Sequence, residues 1–345
     1  MMVPIRSIGF VVGLHAALLL LAAVPVTVTA APVPGGPRLA YVKWGRAVPG
    51  VRLETAGPMG SRRRAIVGDS ELGEPLPEWG FAPAWSPDGS KVVFSGARGE
   101  RKPRLFIATM DGKQERAIPG TVGGFRPIFA PDGRTIAFAR LRSRVHFDLD
   151  DPPYISSFDS TTTWTVEIDG RNLRRLTPWR NGLEVTPSSF APDGSMLAAS
   201  RRDESENLFD EAVGLPMDGG PPIVFARKAH QPTFSPDGSL VALFRYVNRD
   251  PGSSGKGAFF RGALDVLQLD SGATRRLART TYLDQSPPSW DPSGERLAYA
   301  QAGNVMQVNA DGTCRQRILA HRPTVSFGGP AWQPGPGREA GPIVC

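Results

Sequence analysis

The chain has 345 residues, of which 40% are hydrophobic and 21% charged, and carries a formal net charge of +7. Its basic residues are not interleaved with aromatics in runs. That excludes a nucleic-acid protein of the base-stacking kind and leaves weak attraction to anionic surfaces or partners.

At the N-terminus, Arg6 precedes an apolar run from Ile8 to Val24, a break at Pro25 and the small residues Val28-Thr29-Ala30. This predicts a secretory signal over residues 1–30, cleaved after Ala30. The run is also close to the length of an uncleaved anchor, and that alternative stays open. Both readings put residues 31–345 outside the cytoplasm: periplasmic, held in the cell envelope or secreted. No second apolar segment follows, so no transmembrane body is expected beyond the N-terminal signal. Length alone admits two domains, but a repeat that runs through the whole body argues for one.

That repeat is PAWSPDG at 83–89, and it returns as PIFAPDG (127–133), PSSFAPDG (187–194), PTFSPDG (232–238), PSWDPSG (288–294) and PAWQPGP (330–336). Its aromatics Trp85, Phe129, Phe190, Phe234, Trp290 and Trp332 stand 44, 61, 44, 56 and 42 residues apart, at or above the period of four-stranded propeller blades. After each aromatic, Pro sets φ and Gly tolerates positive φ, so the chain reverses tightly. A β-branched and aromatic second strand follows: KVVFSG, TIAFAR, MLAASR, LVALFRY or RLAYAQ. A third strand ends in a polar turn such as Asp111-Gly112 or Asp169-Gly170, and a fourth reads like LRRLT or RQRIL. Each repeat is therefore an antiparallel four-stranded sheet.

The fold class predicted is all-β, a six-bladed β-propeller. Its sixth blade is split between 38–67 and 328–345. RLAYVKW at 38–44 matches the second strand RLAYAQ, VRLETA and RRAIV follow as third and fourth strands, and PAWQP supplies the missing first strand. Closing the last blade from both termini hides sheet edges that would otherwise be exposed.

PxWSPDG, an apolar strand, a DG turn and LRRLT together resemble the TolB-like β-propeller repeats, and the resemblance spans nearly all of residues 31–345. It implies the propeller fold without the α/β domain that precedes it in TolB, because only Ala31 to Pro37 separate the signal from the first strand. The same repeat occurs in peptidases and in lyases of pectic sugars. No GxSxG elbow is present, and His146, His230 and His321 form no HExxH motif, so no cofactor or metal is assigned.

Alternating strand direction puts the PDG and DG turns on one face and the longer, irregular connections on the other. Ligands usually sit where loops vary on a regular scaffold. The candidate binding residues are those just before the first strands, at the channel mouth on the loop-rich face: Phe81, Phe125, Arg126, Glu184, His230, Gln231 and Gln285. A mixed aromatic, cationic and amide rim suits a peptide or sugar, although for Phe81 and Phe125 ordinary packing is the stronger account. Asp148, Asp150 and Asp151 lack the Gly and terminal Glu of a calcium loop. The recurring turn aspartates Asp88, Asp132, Asp193 and Asp237 read as caps on backbone amides.

Cys314 and Cys345 are the two cysteines. Both fall on the turn-rich face of neighbouring blades, and in an exported protein this favours a disulfide that latches the C-terminal tail. Free thiols or an intermolecular bridge are the alternatives. The functional expectation is a monomeric, non-catalytic binding module for a protein, peptide or glycan. The alternative is an extracellular polysaccharide lyase, hydrolase or lactonase with its site at the same mouth.

Overall fold

The computed structural model describes residues 38–44, 51–67, 82–96, 102–141, 146–148, 154–157, 160–203, 210–249, 260–280, 286–322, 326–334 and 342–345. The signal sequence, Phe81, Gln285, Asp150 and Asp151 lie outside them. Among the described residues the regular structure is all β, and no helix is long and apolar enough to cross a membrane.

In chain order the strands are β1 (Leu39–Trp44), β2 (Arg52–Ala56), β3 (Arg64–Val67), β4 (Ala84–Trp85), β5 (Lys91–Gly96), β6 (Arg104–Thr109) and β7 (Glu115–Ala117). Next come β8 (Gly124–Phe129), β9 (Thr135–Leu141), β10 (His146–Asp148), β11 (Tyr154–Ser157), β12 (Thr161–Glu167) and β13 (Arg174–Arg175). They are followed by β14 (Leu183–Phe190), β15 (Met196–Asp203), β16 (Glu211–Pro216), β17 (Ile223–Arg227), β18 (Ala229–Phe234), β19 (Leu240–Arg249), β20 (Phe260–Gln268) and β21 (Thr274–Thr280). The last are β22 (Ser289–Trp290), β23 (Arg296–Gln301), β24 (Asn304–Asn309), β25 (Gln316–Leu319) and β26 (Ser326–Trp332).

Consecutive strands pair antiparallel into four-stranded units. The units β8-β9-β12-β13 and β14-β15-β16-β17 are bridged by one parallel pair, Thr161 with Glu184. The long connection after β9 holds a hairpin of its own, β10 with β11, where the sequence suggested only irregular loop. The last strand returns to the first: β26 pairs with β1, Leu39 opposite Trp332, so one sheet takes strands from distant parts of the sequence in the order β26-β1-β2-β3.

The second strands are the most buried elements: Ile136, Ala137, Phe138 and Ala139 are each sealed from solvent, as are Val241 through Phe244. A strand buried on both faces needs apolar side chains at successive positions, which is why these segments read as continuous apolar runs. Apolar clusters lie between neighbouring sheets. One joins Val42 and Leu53 to Trp85 and Phe94, and another joins Tyr41 and Phe327 to Ala298 and Val305. The sheet built from both termini is thus packed on each of its two sides.

Turn chemistry sets the spacing between sheets. Gly112, at φ 71°, lets the β6–β7 turn lie directly on β3; a Cβ there would stand 2.5 Å from the Ile66 carbonyl oxygen. Only glycine meets both conditions without strain. The turn aspartates cap backbone amides: Asp132 Oδ1 accepts from Arg134 N and Thr135 N, each at 2.8 Å. In the fifth repeat the two residues have changed places. Asp291 stands where the first four repeats carry Ser or Ala, and its Oδ1 accepts from Ser293 Oγ at 2.9 Å and from Arg296 N at 3.2 Å.

The cysteines form a disulfide, Cys314–Cys345, with Cα atoms 5.4 Å apart. The tail it anchors is held a second time, because Asn309 donates to Ile343 O at 2.9 Å and accepts from Ile343 N at 2.7 Å.

Candidate functional site

The first strands of the repeats frame a cavity of about 590 Å³ whose wall includes Trp85, Phe129, Phe190, Phe234, Trp290 and Trp332. Each aromatic is followed two residues later by a proline that also lines the wall, Pro87, Pro131, Pro192, Pro236, Pro292 and Pro334. Two indoles tie adjacent first strands together. Trp85 Nε1 donates to Ala331 O at 2.9 Å and Trp290 Nε1 to Thr233 O at 3.1 Å. A rigid wall of prolines and edge-locked aromatics gives a preformed apolar surface with little left to order on binding.

One sector of that wall is polar. Ser188, from the bulge in β14, and Thr233 of β18 are 6% and 5% exposed, and neither hydroxyl has a partner among the described residues. Arg126 lines the same cavity and reaches Thr186 Oγ1 at 3.5 Å. The other candidates behind this sector were expected in the connections ahead of the first strands. The structure puts them within the strands: Phe125 and Arg126 in β8, Glu184 in β14, His230 and Gln231 in β18.

The difference has a backbone cause. Arg126 and Gln231, each three residues before its repeat aromatic, take left-handed φ of 50° and 54°, and Gly329 at the equivalent place in β26 takes 58°. The ladder shifts register there, so each first strand kinks and then continues instead of ending. Left-handed backbone costs a non-glycine residue about 1–3 kcal/mol and clusters at functional sites. The freed amides are taken up by serines: Gln231 N donates to Ser200 Oγ at 2.7 Å and Gly329 N to Ser286 Oγ at 3.2 Å.

His230 is buried between rings, with centroid distances of 5.7 Å to Phe244 and 5.1 Å to Tyr246, and its Nε2 has no partner among the described residues. Burial pushes its pKa down to about 4 against the pull of Asp210, and Arg126 adds to the depression. The imidazole is therefore neutral at physiological pH and offers hydrogen bonds without charge. Burial, and then the neighbouring Asp210 carboxylate, raise the Tyr246 phenol well above its ordinary range; its hydroxyl donates to Asp210 Oδ2 at 2.9 Å. Gln231 is 2% exposed with Oε1 unpartnered among the described residues. Glu184 accepts from Arg202 Nη2 at 2.6 Å, and Phe125 is buried opposite Ala139.

Of the sequence candidates among the described residues, Arg126 alone lines the cavity; His230 lies close enough to feel its charge, Gln231 is the next residue along β18, and Glu184 is paired with Arg202 away from the lining. His321 is elsewhere, exposed after β25, its amide on Asn304 Oδ1 at 2.8 Å. Ser188 and Thr233 were missed from sequence because each sits inside the repeat phrase, where a small polar residue reads as filler. Among the described residues no group of three or more His, Cys, Asp or Glu side chains is placed to hold a metal ion. What this sector can do is donate and accept neutral hydrogen bonds beside one guanidinium, next to a wide apolar wall.

Sheets arranged around such a cavity, each beginning with an aromatic-proline strand, make a β-propeller fold. Solved structures agree: TolB from Acinetobacter baumannii is 20% identical with a TM-score of 0.66, the match covering 88% of this chain and 68% of that one. A putative TolB from Agrobacterium tumefaciens is 16% identical at a TM-score of 0.54, over 83% of this chain and 90% of that one. A chain of a nidogen/laminin complex is 15% identical at 0.56, over 86% and 98%. At these identities the likeness is one of fold. No protein-family model and no curated protein matches the sequence.

Proposed function

We propose that this is an exported propeller of six blades, the last closed by strands from both termini, that works as a non-catalytic binding module. Its signal is residues 1–30, residues 31–345 form the propeller, and its repeats are of the kind found in TolB. The ligand is a protein segment, peptide or glycan, taken in the channel, whose wall reaches the turn-rich face through Pro87, Pro131, Pro192, Pro236, Pro292 and Pro334 rather than opening only at the loop-rich mouth. The observation that carries the reading is the cavity wall itself: apolar and proline-stiffened over most of its circuit, with buried unpartnered hydroxyls of Ser188 and Thr233 in one sector. Buried polar groups that lack a protein partner are satisfied by water or by a ligand, and a ligand that replaces the water keeps those bonds while covering the apolar wall. The disulfide fits an oxidising compartment outside the cytoplasm. Structures of TolB and of the nidogen/laminin complex add a propeller precedent for the reading.

Three tryptophans in the wall supply the test. Extended peptides and neutral oligosaccharides titrated into the protein change the emission of Trp85, Trp290 and Trp332 if the cavity is the site. Thr233→Trp, which fills the polar sector, abolishes the change while the variant stays folded. Saturable binding that survives Thr233→Trp refutes the assignment of the cavity.

A further inference from the structure

A second surface lies away from the cavity, where the sheet of β26, β1, β2 and β3 meets the sheet of β22–β25. Residues 57–67, GPMGSRRRAIV, hold three arginines and no acid, and Arg62, Arg63 and Arg64 are all exposed. Arg38 joins them: its Nη2 donates to Thr55 Oγ1 at 2.9 Å and to Arg62 O at 2.7 Å. At the tip of the same turn Met59 is 60% exposed, an apolar side chain held out among cations.

The turn is clamped onto the neighbouring sheet. A Cβ on Gly60 would stand 2.6 Å from Ile318 O, and Met59 Sδ lies 3.5 Å from Gln307 Nε2. Beside that contact runs the segment 315–322, RQRILAHR, again with three arginines and no acid, and Arg317 is exposed. The exposed Met59, its sulfur resting against the neighbouring sheet, is therefore flanked by arginines from two sheets. Asp111 beside Arg64 and Asp311 beside Arg275 are acids at the margin of the patch.

Chain direction adds an independent argument. Leu39 stands opposite Ala56, the residue just before the turn, so the polypeptide enters β1 from this face. The apolar run from Ile8 to Val24 lies upstream of that entry. Where that run is retained in a bilayer, residues 25–37 tether the body at the end of β1 that lies on this face.

We propose that this face docks on anionic phospholipid headgroups, the arginines pairing with phosphates and Met59 entering the interfacial layer. Basic residues around an exposed apolar side chain match that chemistry: charge gives attraction to the leaflet, and the apolar tip distinguishes a bilayer from a soluble polyanion. The loop-rich face is then turned away from the membrane.

The test uses the full chain carrying Met59→Cys, labelled with an environment-sensitive dye and mixed with phosphatidylglycerol or phosphatidylcholine vesicles. We expect the emission to shift to the blue on phosphatidylglycerol alone and to return on raising the salt concentration. Arg62→Ser and Arg317→Ser should each weaken the association about fivefold, while Arg174→Ser, on β13, leaves it unchanged. An N-terminal run that tethers the protein unaided gives the same emission on both lipids, and that result overturns the proposal. So does an equal loss in Arg174→Ser, which reports diffuse charge, or salt-sensitive association with emission still that of water, which reports a polyanion site. Thermal melts of each variant separate lost docking from lost folding.

Discussion

Replacing His230 by Phe tests whether the histidine is stored in the fold as a neutral, buried base. Its pKa is held at about 4 by burial among Phe244 and Tyr246, against an ordinary value of 6.5. The unfolded chain therefore takes up a proton at a pH where the folded one does not. Such a group contributes stability that is fully present above pH 6.5 and is lost as the pH falls toward 4. Between pH 7.5 and pH 5 the two proton-binding curves differ by about 2 kcal/mol. The turn aspartates Asp88, Asp132 and Asp237 also have depressed pKa values, but from a starting value of 3.8, so their loss falls below that interval. Urea unfolding of the wild type should thus show a midpoint lower by roughly 1 M at pH 5 than at pH 7.5, for a slope of about 2 kcal/mol/M. In His230→Phe, which keeps a ring between Phe244 and Tyr246, most of that difference should vanish. Equal losses in wild type and variant would refute the reasoning, because the pH dependence would then arise elsewhere.

Three further outcomes follow from the packing. Cys314 and Cys345 are 31 residues apart, so replacing both by Ser should lower the unfolding free energy by about 3.5 kcal/mol on loop entropy, read from urea melts. Tyr41→Phe removes the hydroxyl that donates to buried Glu54 Oε2 at 2.7 Å and should cost about 2 kcal/mol, measured the same way. Gly112→Ala must fit a Cβ 2.5 Å from the Ile66 carbonyl oxygen at φ 71° and should cost at least about 2 kcal/mol, seen as a drop in melting temperature.

Much of this architecture was legible because the repeat declares its own turns. Pro-Asp-Gly and Asp-Gly have steric meaning at the level of single residues, so the order of strands and the pairing of the chain ends could be read directly. What could not be read was geometry that residue identity does not encode. Nothing about Arg126 or Gln231 announces a left-handed backbone, yet their alignment with Gly329, three residues before an aromatic in each case, carried the signal. The exchange of Asp291 and Ser293 hid in the same way: PSWDPSG looks like a worn copy, whereas its carboxylate makes the same turn from the other side. The β10–β11 hairpin went unseen because three- and four-residue strands leave no periodicity to detect.

The partnership of β1 and β26 also bears on where a chain of this kind can begin. Residues from its two ends sit on adjacent strands, and the tail is bonded back to Asn309. The order in which the sheets are written in the polypeptide is therefore separable from their order in space. A circular permutant that joins the present ends and reopens the exposed turn at Asp169–Asn172 keeps every sheet and turns the one assembled from distant segments into a run of local hairpins. New fusion points could in this way be moved around the body without redesigning any contact.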